Sequence, residues 1–203
     1  MAEELISDDE RAEQIKKWWR ENGMSIGAGV AIAVAGVFGW QQWQQHKITQ
    51  AEAASEQFQK AQSVETDKVK ALQAVAEEYS STPYAALASL AAASEASQEN
   101  PASAIEALKA AMTGTDTNVA DIAKLRLIRL YIAEGKLSDA ETLLDTKLAV
   151  AYTSLMEELR GDLYVAKKDL QKAREAYDRA ILSVGTNPAR YLRMKRDNLG
   201  KGA

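Results

Sequence analysis

One stretch of the chain, Met24 to Trp40, is apolar almost without interruption, whereas from Gln44 onward apolar residues recur at helical spacing among polar ones. The first pattern predicts a single membrane-spanning helix and the second a series of amphipathic helices. All four tryptophans bracket the apolar run as Trp18 with Trp19 and Trp40 with Trp43. From Trp19 to Trp40 a helix rising ~1.5 Å per residue covers ~31 Å, about the thickness of a bilayer hydrocarbon core. Indole rings favour the two membrane–water boundaries, so these four residues are the expected interfacial anchors. Ser25 is the only polar side chain inside the run and can bond back to its own helix.

The flanks set an orientation. Lys16, Lys17 and Arg20 precede the run, while the other side offers four glutamines before His46 and Lys47. Basic residues are retained in the cytoplasm, so residues 1–22 are expected to form a cytoplasmic head, 23–43 the anchor and 44–203 an exported domain. Two other readings compete: a leader cleaved near Ala33-Val34-Ala35, and the core helix of a soluble protein. A long acid-rich head, an apolar run that continues past the candidate cut and the far tryptophan pair argue against the first; tryptophan pairs at both ends and five small residues on one face argue against the second. Gly23, Gly27, Ala31, Ala35 and Gly39 recur at every fourth position, a small-residue stripe of the kind by which membrane helices pack closely.

Beyond the anchor the chain reads as wholly helical and repetitive. Pro83, Pro101 and Pro188 fall in breaks between alanine-rich stretches, where a helix must end or begin. The strongest unit runs from Leu159-Arg160-Gly161 to Ala173, Tyr177 and Ala180, at the spacing of a tetratricopeptide repeat. A second copy has Leu127, Tyr131, Gly135, Ala140 and Leu144, and a fainter one Ala92, Ala104, Leu108 and Ala111. Ala71, Ala104, Ala140 and Ala173 lie 33, 36 and 33 residues apart, against a period of ~34 for that repeat. The expected fold is all-α: a transmembrane helix, then a tetratricopeptide-like α-solenoid. Its hairpins are expected at 48–83, 84–117, 120–152 and 154–187, with a loop at Thr113–Asn118 and a capping helix from Pro188.

Charge and composition then remove function classes. Of 29 acidic and 25 basic residues, the first 21 positions hold seven and four, which leaves 22 and 21 in the rest. So balanced a domain offers no basic field for nucleic acid. There is no cysteine, and His46 is the only histidine, so thiolate chemistry, catalytic triads and histidine metal sites lack their residues. Adjacent acids such as Glu77 with Glu78 or Glu157 with Glu158 point about 100° apart on a helix, as on a solvated face. No enzyme and no cofactor are expected. Solenoids hold partners on the concave side lined by the first helix of each hairpin. On this register Leu125, Arg129 and Ile132 stand beside Glu158, Asp162 and Val165, a candidate groove of mixed charge in which Arg129 and Asp162 could also pair with each other.

Tyr84-Ala85-Ala86-Leu87-Ala88-Ser89-Leu90, Leu125-Arg126-Leu127, Leu159-Arg160-Gly161, Met194-Lys195 with Asn198-Leu199, and the anchor end Gly39-Trp40-Gln41-Gln42-Trp43 are spread over nearly the whole chain. In this order, after an acid-rich head, they resemble the YfgM-like ancillary subunits of the bacterial Sec translocon. Trp18-Trp19 stands where that family usually has phenylalanines. The resemblance implies a single-pass inner-membrane protein with a periplasmic domain, found with the SecYEG channel and the membrane-anchored chaperone PpiD and assisting exported client proteins. It brings no catalytic residues. The alternative, from another class, is a homodimerising envelope assembly or signalling adaptor unrelated to translocation.

Overall fold

In the computed structural model, residues 8–114, 116–184 and 189–200 are described. The chain is all-α, with no strand among those residues. It divides into two compact units, Met1–Thr49 and Gln50–Ala203. The first helix, α1, runs unbroken from Asp8 to Ser63. The anchor and the first helix of the hairpin expected from residue 48 are thus one helix, because Gln41 to Ser63 contains neither glycine nor proline and nothing interrupts the hydrogen-bond ladder. The apolar part of α1 is long and apolar enough to cross a membrane.

In the second unit the helices α2 (Lys68–Glu78), α3 (Pro83–Ala96), α4 (Pro101–Met112), α5 (Thr117–Ala133), α6 (Leu137–Leu144), α7 (Thr153–Ala166) and α8 (Leu170–Ser183) pack on their sequence neighbours as antiparallel hairpins. A short α9 (Arg190–Asp197) follows and packs on α8. α3–α4, α5–α6 and α7–α8 are three of the expected hairpins, and α2 packs on α3. Pro83 and Pro101 both open helices, where a missing N–H costs nothing. Pro188 lies outside the described residues.

Two boundaries differ from the sequence expectation. The expected loop at Thr113–Asn118 is shorter, because the Asp116 carboxylate accepts from the N–H groups of Asn118 (2.8 Å) and Val119 (3.3 Å) and starts α5 at Thr117. The third hairpin, by contrast, ends its second helix early, at Leu144. The connection to α7 contains a 3₁₀ turn at Val150–Tyr152. Its backbone is held from the side: Asp121 accepts from the Ala149 N–H, and Lys124 donates to the Lys147 carbonyl.

The repeat is visible in the backbone itself. At the end of α5, N–H groups of Glu134, Gly135 and Lys136 donate to the carbonyls of Leu130, Ile132 and Tyr131. At the end of α7, those of Lys167, Lys168 and Asp169 donate to Leu163, Val165 and Tyr164, the same pattern 33 residues later. The turn residue has positive φ in both, 69° at Gly135 and 63° at Lys168. A glycine suits that left-handed position, and Lys168 occupies it against its own steric preference.

Packing follows the same register. Ala104, Ala140 and Ala173 are fully buried, as close helix crossing requires. Ala71, the first of the series, is only partly buried against the core. The fourth hairpin closes through Gly161, over which Tyr177 lies so closely that a Cβ there would stand 2.3 Å from the tyrosine Cε1. Stepping back by 33 and 36 residues, the corresponding pairs are Ile128 with Leu144 and Ala92 with Leu108, all buried. The small-plus-aromatic pair of one repeat becomes two medium side chains in the next. α3 is apolar on nearly every side and sits within the core, with Ala86, Ala88, Ser89, Leu90, Ala92, Ala93 and Ala96 all buried.

Candidate interaction surfaces

The anchor presents two features to a bilayer. Trp40 and Trp43 pack with ring centroids 4.9 Å apart, and the Lys47 ammonium stands 4.3 Å from the Trp43 ring centroid. A cation on an indole face at a boundary lets the charge reach water while the ring stays in the interface. At the other end Trp18 and Trp19 are exposed, and Trp19 lies along Gly23. The small-residue stripe is uncovered: a Cβ added at Gly27 or Gly39 meets nothing within 4 Å, and Ala31 and Ala35 are exposed.

In the repeat unit the structure scatters the six candidate groove residues. Leu125 is buried in the core and Ile132 packs against it. Arg129 and Val165 are exposed. Glu158 and Asp162 are close together but do not meet Arg129. The Lys195 ammonium of α9 takes both, donating to Glu158 Oε1 at 2.8 Å and to both Asp162 oxygens at 2.8 Å. Asp162 also accepts from the Tyr177 hydroxyl at 2.6 Å. Thus α9 occupies the part of the expected groove that belongs to the fourth hairpin. Burial opposes the Lys195 charge, but the hydrogen bonds to Asp162 and Glu158 outweigh it and raise its pKa above the ordinary lysine value. Burial first, and then the bond to Asp162, push the Tyr177 phenol far up as well.

An open crevice does exist one hairpin earlier, between α3 and α5. Its volume is about 320 Å³; Ala93, Leu108, Leu130 and Ala133 form the floor, and Arg126 with Arg129 stands at the rim. Among the described residues neither guanidinium has an ion-pair or hydrogen-bond partner. Sequence reasoning found Arg129 here but missed Arg126, although two arginines three positions apart on a helix share one face. Lys195 was missed too, since its partners lie more than 30 residues away. Among the described residues no group of three histidine, cysteine or carboxylate side chains could hold a metal ion. His46 is exposed on α1.

Comparison with known proteins agrees with this architecture over nearly the full chain. The profile of a tetratricopeptide repeat-like domain family matches residues 16–201. A protein of Haemophilus influenzae named ancillary SecYEG translocon subunit is 31% identical over 200 residues, 96% of this chain and 98% of that one. The Escherichia coli protein of the same name is 30% identical, over 95% and 97% of the two chains. One from Aggregatibacter actinomycetemcomitans is 29% identical, over 96% and 98%. No solved structure matches the chain.

Proposed function

Since the chain belongs to the ancillary SecYEG translocon subunits, a family with a tetratricopeptide repeat-like domain, we propose that it is a non-enzymatic scaffold anchored beside the SecYEG channel. The observation that carries this is the near full-length relationship to proteins bearing that name, joined to a single lipid-compatible helix whose small-residue stripe is free to receive a partner. Residues 1–22 are the cytoplasmic head, 23–43 cross the inner membrane and 44–203 work in the periplasm, as Lys16, Lys17 and Arg20 direct. Stacked hairpins give the exported part an extended surface for a PpiD-like membrane-anchored chaperone and for the exported proteins it assists. With one exposed histidine and no cysteine, the chain works by holding partners near each other.

Reporter fusions test the orientation. An enzyme active only in the periplasm, fused after Ala203, is expected to be active, and one active only in the cytoplasm to be silent. The reverse pair of results would overturn the topology and with it a periplasmic scaffold.

A further inference from the structure

The crevice between α3 and α5 joins three properties that point to one kind of ligand. Its floor is apolar: Leu108 is buried, and Leu130 and Ala133 remain partly or fully accessible. Its rim carries two arginines on one face of α5, both exposed and neither neutralised by an ion pair. No carboxylate lines it; the remaining lining groups are Ser94 and Ser97. Like charges three residues apart on a helix repel, and no ion pair among the described residues offsets them here. Guanidinium groups with free N–H donors pair best with carboxylates, often through two parallel hydrogen bonds.

We infer that this crevice is a docking site for an extended acidic peptide segment that lays an apolar side chain on the Ala93–Leu108–Leu130–Ala133 floor and sets a carboxylate between Arg126 and Arg129. The charge pattern selects the ligand: a basic or neutral segment would leave both arginines unpaired, whereas an acidic one neutralises them. α3 and α5 are the first helices of consecutive hairpins, the helices that face inward in a stacked array and present elongated binding surfaces. A recessed floor of this size suits one or two side chains rather than a flat lipid surface. Peptide capture here is separate from association with the channel, so either can fail without the other.

The test uses the full chain in phosphatidylcholine nanodiscs and a short fluorescent peptide of leucines and glutamates spaced by serine. Saturable binding is expected in fluorescence anisotropy, weakening as salt is raised. The same peptide with lysine in place of glutamate should not bind. Arg126→Gln with Arg129→Gln is expected to weaken binding roughly tenfold or more, the scale of losing charge-assisted hydrogen bonds. Both positions are exposed, so the double variant should melt like the parent. Ala133→Glu, which adds a carboxylate to the exposed floor, is expected to abolish binding in an independent way. Equal binding of the two peptides, no binding of the acidic one, or indifference to both variants would overturn the site. So would arginine-dependent capture by phosphatidylglycerol vesicles without peptide binding, which would assign the surface to the membrane.

Discussion

Gly161→Val is expected to be the most damaging single substitution in the repeat domain. A Cβ alone would stand 2.3 Å from Tyr177 Cε1 and 2.5 Å from Cδ1, well inside contact distance. The ring cannot easily yield, because its hydroxyl is tied to Asp162 at 2.6 Å and the residue is almost wholly buried. Overpacking a filled site costs ~1–3 kcal/mol and sometimes more, and valine adds two methyl groups to an already impossible contact. At ~2–4 °C per kcal/mol for a domain of this size, a loss of ~3 kcal/mol lowers the melting temperature by about 6–12 °C. Thermal melts of the full chain in mild detergent measure it. Gly161→Ala combined with Tyr177→Leu should recover part of the loss, since the third hairpin already lives with the medium pair Ile128 and Leu144. A wild-type melt for Gly161→Val would mean that the helices do not cross where the repeat register places them.

The second large effect is expected at Lys195, through which α9 is tied to the fourth hairpin. Lys195→Met removes the only cation that, among the described residues, pairs with Glu158 and Asp162, whose side chains are 11% and 25% exposed. Breaking a fully buried pair from one side costs ~3–5 kcal/mol; this one keeps some water, so a loss of ~2–3 kcal/mol is expected. Adding Glu158→Gln and Asp162→Asn should restore much of it, because the stranded charges are then gone. The same groups give the domain an alkaline limit. Lys195 and Tyr177 both have raised pKa values in the fold, so their contribution is complete below their unfolded values and is lost as pH rises through the folded ones. Stability should therefore hold from neutrality to about pH 10 and fall above it. A pH series of melts checks both points, and an unchanged melt for Lys195→Met would show that the Lys195 contacts contribute nothing to the domain.

Where one residue type dictates a local outcome, the sequence was easy to read. Pro83 and Pro101 marked helix starts, and Gly161 with Tyr177 marked the fourth hairpin because size complementarity leaves a visible small-plus-aromatic signature. The earlier repeats were fainter for a physical reason: Ala92 with Leu108 fills space by two ordinary apolar residues, which any helix contains. Ala111 shows the consequence. A leucine there, in the faintest repeat, should be about as harmful as Ala173→Leu, since both alanines are wholly buried. Sequence could not show that α1 would continue past the membrane, since helical periodicity marks no boundary where glycine and proline are absent. Nor could it assign Asp162. Arg129 and Lys195 were both chemically suitable partners, and only the return of α9 onto α7 decides between them.

Association with the translocon is measured most directly by purifying the tagged full chain from its own membranes in mild detergent and identifying by mass spectrometry what remains bound. Alongside it, a variant with Gly27, Ala31 and Ala35 all changed to leucine keeps a membrane-compatible helix but fills the uncovered stripe. Recovery of the SecYEG subunits with a membrane-anchored chaperone, reduced for the stripe variant while the repeat domain melts normally, is the predicted result. Recovery of the chain alone, or only as a self-dimer, would contradict the account.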